Sequence, residues 1–205
     1  FGGKEWMQYD NPYDVGMSGL LGYGACYEAM HEADLVILLG TDFPYSEFLP
    51  RENGKGAPRI VQIDADGSRL GRRVGLDLAV HGDVALTLQA VLPLLTSTKG
   101  HRYLHRQLKA HHKALSGVVA AYTKNVERMT PIHPEFVAAT LDELADDDAV
   151  FTVDTGMCNV WGARYITPNG KRRVFGSWHH GTMANALPQA IGASKAFPGR
   201  QVISM

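Results

Sequence analysis

The hydrophobic pattern of the chain alternates between turn-rich stretches and short apolar runs. Phe1 to Gly16 is rich in turn formers, with Asn11-Pro12-Tyr13-Asp14 at its centre, and reads as a loop. Met17 to Glu32 has helical character, thinned by Gly19, Gly22 and Gly24. Leu35-Val36-Ile37-Leu38-Leu39-Gly40 is a continuous apolar run, the pattern of a strand buried on both faces of a parallel sheet. A second such strand is expected over Arg59 to Asp66, carrying Ile60, Val61 and Ile63. Gly82-Asp83 then caps a helix through Leu95, with Val84, Leu88, Val91 and Leu95 at helical spacing. Strand, loop, strand and helix in this order predict an α/β fold with a Rossmann-like doubly wound parallel sheet.

A polar, basic helical stretch, His101 to Tyr122, follows the punctuation of Ser97, Thr98 and Gly100. A second α/β unit begins at Thr130-Pro131, with a helix to about Leu144 and a strand over 149–153. A short helix, Val160 to Tyr165, precedes a strand over Arg173 to Ser177. A glycine turn, a helix of small residues and a final strand over 201–205 complete the pattern. The domains expected are therefore 1–98, a helical linker over 99–127, and a second α/β domain over 128–205.

Composition narrows the function classes. A net charge of −1 gives no electrostatic footprint for nucleic acid or an anionic membrane. Cys26 and Cys158 stand far apart with no CxxC spacing, which argues against a disulfide framework or a zinc site and favours a reducing cytoplasm. No apolar run approaches the roughly 20 residues of a membrane span. The chain starts without an initiator Met and stops within a strand pattern, so it reads as a fragment.

Ligands of open α/β sheets sit beyond the C-terminal ends of the strands. Three glycine turns occupy such positions: Gly40-Thr41-Asp42-Phe43-Pro44, Asp154-Thr155-Gly156 and His180-Gly181-Thr182-Met183. Glycine lets backbone N–H groups approach phosphate oxygens, and a helix N-terminus adds a favourable dipole; plain strand-to-helix turns share the pattern. Asp64 closes the second strand where dinucleotide folds place a ribose acceptor, although no GxGxxG follows the first strand. His101, His105, His111 and His112 read as a solvated helix face rather than a metal site, because no carboxylate or cysteine joins them. His179 and His180 adjoin a candidate site with structural and catalytic roles both open, and Cys158 reads as packing.

Four motifs occur in register: Asn11-Pro12-Tyr13-Asp14-Val15-Gly16-Met17, Gly40-Thr41-Asp42-Phe43-Pro44-Tyr45, Gln62-Ile63-Asp64 and Gly181-Thr182-Met183-Ala184-Asn185-Ala186. Together they resemble the thiamine-diphosphate enzymes of the pyruvate oxidase and pyruvate dehydrogenase (quinone) type. The resemblance implies that residues 1–98 are an N-terminally truncated FAD-binding central domain. Residues 128–205 are then the first part of a thiamine-diphosphate-binding domain. It places FAD at Met17, Ser18, Gly19, Leu20, Gly40, Thr41, Asp42, Phe43 and Pro44, with Asp64 or its neighbour Ile63 at the adenosine end. Gly181, Thr182 and Met183 face thiamine diphosphate, the methionine supporting the bent cofactor, with Gly156 and Met157 in a secondary place. Thr182 stands where the family commonly has Ser, and Met157-Cys158 where it often has Thr-Pro.

The resemblance further implies that the parent oxidatively decarboxylates pyruvate to acetate and CO2, passing electrons through FAD to quinone. It implies a homotetramer in the cytoplasm, touching the inner face of the cell membrane through a C-terminal segment beyond this chain. The Gly-Asp-Gly loop for Mg2+ and the activating glutamate would also lie outside it, leaving no catalytic or metal residue here and an inactive fragment. An acetolactate synthase-type carboligase and a non-catalytic nucleotide-binding module are the alternatives.

Overall fold

The computed structural model describes residues 2–41, 57–96 and 101–205. Within them the chain is α/β with two parallel sheets, and it divides into two compact units, Ser18–His111 and Phe1–Met17 with His112–Met205.

In the Ser18–His111 unit, helix α2 (Cys26–Glu32) leads into strand β1 (Leu35–Leu39), which pairs in parallel with β2 (Arg59–Asp64). Strand β3 (Leu78–His81) pairs with the far side of β2, giving the order β1-β2-β3. The sequence pattern missed β3, because Leu78-Ala79-Val80-His81 is too short to stand out beside the polar turns before it. Val36, Leu38 and Ile60 pack with Val74 on one face of the sheet. Leu35, Ile37 and Leu39 are exposed on the other, so β1 alternates where burial on both faces was expected. Helix α3 (Val84–Val91) starts as expected, Asp83 accepting from the Leu86 N–H at 2.9 Å.

The expected helix over 17–32 forms only from Cys26. Gly16, Gly19 and Gly24 take φ of 102°, 87° and 79°, and positive φ breaks a right-handed helix. Helix α4 (Arg102–Thr123) matches the basic helical stretch. Its predicted solvated histidine face is corrected at one position. His111 is buried, while Gln107, also buried, donates to Glu32 on α2 at 2.6 Å.

In the second unit, helix α5 (Pro134–Leu144), strand β4 (Val150–Val153), helix α6 (Met157–Tyr165), strand β5 (Arg173–Gly176), helix α7 (Ala186–Ala196) and strand β6 (Val202–Ser204) follow in order. The parallel sheet runs β5-β4-β6, so the chain reverses its direction of travel across the sheet at β4. Every residue of β4 is buried, and Ala149, Phe151 and Val153 form a core with Ile166 and Val174. Cys158 packs against this core. Arg172, nearly enclosed, donates to the Asp142 carboxylate at 2.7 Å and to the carbonyls of Asp142 and Ala145. It thereby joins the end of α5 to the start of β5.

Residues 2–17 pack within this second unit and are not all loop, since helix α1 spans Lys4–Met7. Lys4 is buried and donates to Gln8 at 2.5 Å. Burial pushes its ammonium down to about 8, against the opposing pull of the Asp14 and Asp142 carboxylates. A lysine depressed in the folded state disfavours folding while it is charged, so stability rises between pH 8 and the ordinary value of 10.5. Lys4→Met is therefore expected to raise the melting temperature at pH 7, with the gain shrinking across that window. A gain that stays constant over the window would show that Lys4 is not the group titrating there.

Candidate functional site

The second unit gathers its candidate residues at the C-terminal ends of β4 and β5, beside the point where strand order reverses. Open α/β sheets leave a ligand crevice there. Asp154 is the first residue after β4. Its Oδ1 accepts from the Thr155 N–H at 2.7 Å, the Ala184 N–H at 2.9 Å and the Asn185 side-chain amide at 3.3 Å. Its Oδ2 accepts from the Ala186 N–H at 3.4 Å, at the start of α7. Desolvation raises the Asp154 carboxyl, but the backbone N–H groups of Thr155, Ala186, Ala184 and Asn185 together outweigh it and hold the group below the ordinary carboxylate range.

A second set of bonds shapes the Gly181-Thr182-Met183 turn. The Gly181 N–H donates to the Ser177 carbonyl at 3.0 Å, and the Thr182 N–H to Ser177 Oγ at 3.1 Å. Thr155 Oγ1 and the Asn185 amide donate to the Thr182 carbonyl at 2.9 and 2.7 Å. Both carbonyl-side and amide-side groups are thus fixed before any ligand arrives. Gly181 at φ 59° and Ala184 at φ 60° bend the backbone, and Met183 is left 80% exposed at the lip of the turn. Gly156 opens α6 at φ 123° and ψ −147°, a region open essentially to glycine alone. His179 and His180 are exposed beside the turn.

In the Ser18–His111 unit the structure brings Gly40, Thr41 and Asp64 to the C-terminal edge of β1 and β2. Gly40, at φ 58°, donates to the Ile63 carbonyl at 2.9 Å. The Thr41 carbonyl accepts from the buried Gln62 side chain, which also bonds the Arg69 carbonyl and the Gly71 N–H. Asp64 is buried; its Oδ1 accepts from the Asp66 N–H, and its Oδ2 has no partner among the described residues. Gly19 turns at φ 87° with Leu20 exposed beside it. Met17 ends the short extended piece Gly16–Met17, immediately before Ser18, Gly19 and Leu20. Asp42, Phe43 and Pro44 lie outside the described residues.

Residues 1–91 match the family described as thiamine pyrophosphate enzyme, central domain, and residues 154–205 match its C-terminal TPP-binding domain. The chain belongs to the thiamine pyrophosphate enzymes. It is 34% identical over 195 residues to the putative thiamine pyrophosphate-containing protein YdaP of Bacillus subtilis, covering 95% of this chain and 33% of that protein. An acetolactate synthase of Mycobacterium bovis is 29% identical over 92% of this chain and 31% of its own length. A pyruvate oxidase of Lactiplantibacillus plantarum is 27% identical over 95% and 31%. The chain spans about a third of the length of these curated relatives.

Close approach of backbone to a ligand needs a turn that side chains do not fill. The 181–183 turn fits: a Cβ on Gly181 would have only the Thr155 methyl, at 3.7 Å, beside it. The unpartnered acceptor Asp64 Oδ2 likewise fits a hydroxyl donor such as a ribose. A Mg2+ donor set does not fit. Among the described residues no group of three or more His, Cys, Asp or Glu could hold a metal ion, and the Asp154 oxygens are already engaged by N–H donors.

Sequence reasoning placed Asp154 in a candidate glycine turn and Gln62 and Asn185 in motifs, but gave these residues and Ser177 no role of their own. A usable signal was present in Asp154, an acid closing an apolar strand just ahead of Thr-Gly. Two substitutions read backbone strain alone, since a Cβ has room at both positions. Gly181→Ala is expected to cost about 1–2 kcal/mol, the usual penalty of the left-handed region. Gly156→Ala, where a Cβ would meet nothing within 4 Å, is expected to cost more, up to about 3 kcal/mol, because its φ,ψ region is stricter. Denaturant unfolding measures both, and equal costs would refute the ranking. Asp154→Ala is expected to weaken thiamine diphosphate binding about tenfold or more, since it releases several charge-assisted hydrogen bonds. Unchanged affinity in a folded variant would remove Asp154 from the site.

Proposed function

We propose that the protein carrying this chain is a thiamine-diphosphate- and FAD-dependent enzyme that oxidatively decarboxylates pyruvate to acetate and CO2, with quinone as electron acceptor. The observation that carries the thiamine half is the 181–183 turn, held open by Asp154 and Ser177 with Met183 bare above it. Bound thiamine diphosphate supplies an electron sink for decarboxylation of a 2-keto acid. In this reading Gly181 brings the backbone close to the cofactor and Met183 supports it from one side. The Thr182 side chain, hydrogen-bonded to Ser177 at 3.1 Å, keeps the turn in shape.

Gly40 and Thr41 would line the FAD site, with Asp64 accepting from the adenosine ribose. Support for the oxidase over its relatives comes from the wording of residues 9–16 and 40–45, with a pyruvate oxidase among the similar proteins alongside acetolactate synthases. A Mg2+ loop, a homotetramer in the cytoplasm and peripheral contact with the inner membrane face complete the reading by resemblance. The second reading is an acetolactate synthase-type carboligase, favoured by acetolactate synthases at 29% identity. Incubating the full-length enzyme with pyruvate, both cofactors, Mg2+ and a soluble quinone is expected to yield acetate and reduced quinone in equal amounts. Acetolactate without reduced quinone would replace the first reading by the second.

A further inference from the structure

Strand β5 ends at Gly176, immediately before the Ser177 that holds the Gly181 and Thr182 amides. On one side β5 is laddered to β4; on the other it is the edge of the described sheet. The Arg173 N–H points inward to the Ala149 carbonyl at 3.1 Å, so the next amide, Val174 N–H, points to the edge. There it donates to Oε1 of Glu5, a carboxylate from helix α1 that is itself buried. Glu5 Oε2 accepts from Arg173 Nε at 2.9 Å, and the Arg173 guanidinium lies over the rings of Trp6 and Phe175.

Two further contacts seat the same segment. Tyr9 lies so close to Gly170 that a Cβ there would come within 2.8 Å of its ring. Trp178 folds back over Gly176, leaving 2.2 Å for a Cβ, and its ring reaches Gly2. Residues 2–9 lie within the central-domain match, whereas Val174 and Ser177 lie within the TPP-binding match.

We propose that Glu5 is a positioning residue for the thiamine diphosphate site, a central-domain carboxylate that fixes the edge of β5 and through it the Ser177–Met183 wall. The path is short: Val174 and Ser177 are three residues apart, about 10 Å along an extended strand. A carboxylate can satisfy the edge amide and the Arg173 guanidinium at once. A neutral side chain leaves one of them unpaired, and a small apolar one leaves both. The inference rests on reading residues 181–183 as the thiamine wall.

The test compares cofactor affinities in the full-length enzyme, with thiamine diphosphate followed by quenching of tryptophan fluorescence and FAD by flavin fluorescence. Glu5→Ala is expected to weaken thiamine diphosphate about tenfold while FAD affinity stays within about twofold. Glu5→Gln, which keeps an acceptor for the Val174 amide but loses the ion pair with Arg173, is expected to recover most of the loss. Unchanged thiamine diphosphate affinity in Glu5→Ala, equal loss of both cofactors, or no recovery in Glu5→Gln would each overturn the proposal. If Glu5→Ala does not fold, Glu5→Asp replaces it, its carboxylate withdrawn by one methylene; wild-type affinity there also overturns the proposal. A wild-type enzyme that binds no thiamine diphosphate would instead sink the reading of the wall itself.

Discussion

The second unit depends on one carboxylate placed where a parallel sheet changes direction. A strand end leaves backbone groups without ladder partners, and a helix start leaves amides without intrahelical acceptors. Asp154 meets both needs, because it follows the fully buried β4 and faces the first residues of α7. Its two oxygens collect donors from residues 155, 184, 185 and 186, so strand, turn and helix share one reference point. An amide in its place has one acceptor and one donor, and so cannot satisfy donors on both oxygens.

The first unit solves a similar problem with a neutral group. Gln62, buried in β2, ties the carbonyls of Thr41 and Arg69 and the amide of Gly71 into one arrangement. These loops lie at the same edge as Asp64, whose free oxygen stands as an acceptor awaiting a donor. Buried polar atoms without partners are few in native proteins and call for an explanation. Under the proposed function, a nucleotide hydroxyl would supply one here. Both halves of the chain thus set their backbone at strand ends with side chains that do not themselves face a ligand.

The α/β class and most elements were legible from apolar runs, since β1, β2, β4, β5 and β6 each stand out against polar neighbours. The glycine turns at the strand ends were legible too, although plain strand-to-helix turns share their pattern. Three things were not. The helix expected over 17–25 does not form, because Gly19 and Gly24 take positive φ there despite the helical hydrophobic spacing. His111 looked like part of a solvated row, since helical periodicity says which residues share a face but not which face a neighbour covers. The supporting side chains of the site, Asp154, Ser177 and Asn185, act through bonds to backbone atoms up to 32 positions away, and no local pattern encodes those partners.

The bond between Glu5 and Val174 joins positions 169 residues apart, one of the longest closures this chain can make. The entropy lost in closing a flexible loop grows with the logarithm of its length, each doubling adding about 0.6 kcal/mol. That cost falls if the intervening Ser18–His111 unit is already compact and no longer behaves as open chain. Contacts of such high sequence separation also slow folding, because their closure must be made before it is rewarded. The order of events during synthesis follows. The first unit can collapse while the ribosome is still making α5. Helix α1 must wait until β5 emerges, so the wall at 181–183 is among the last parts of the chain to acquire its native form.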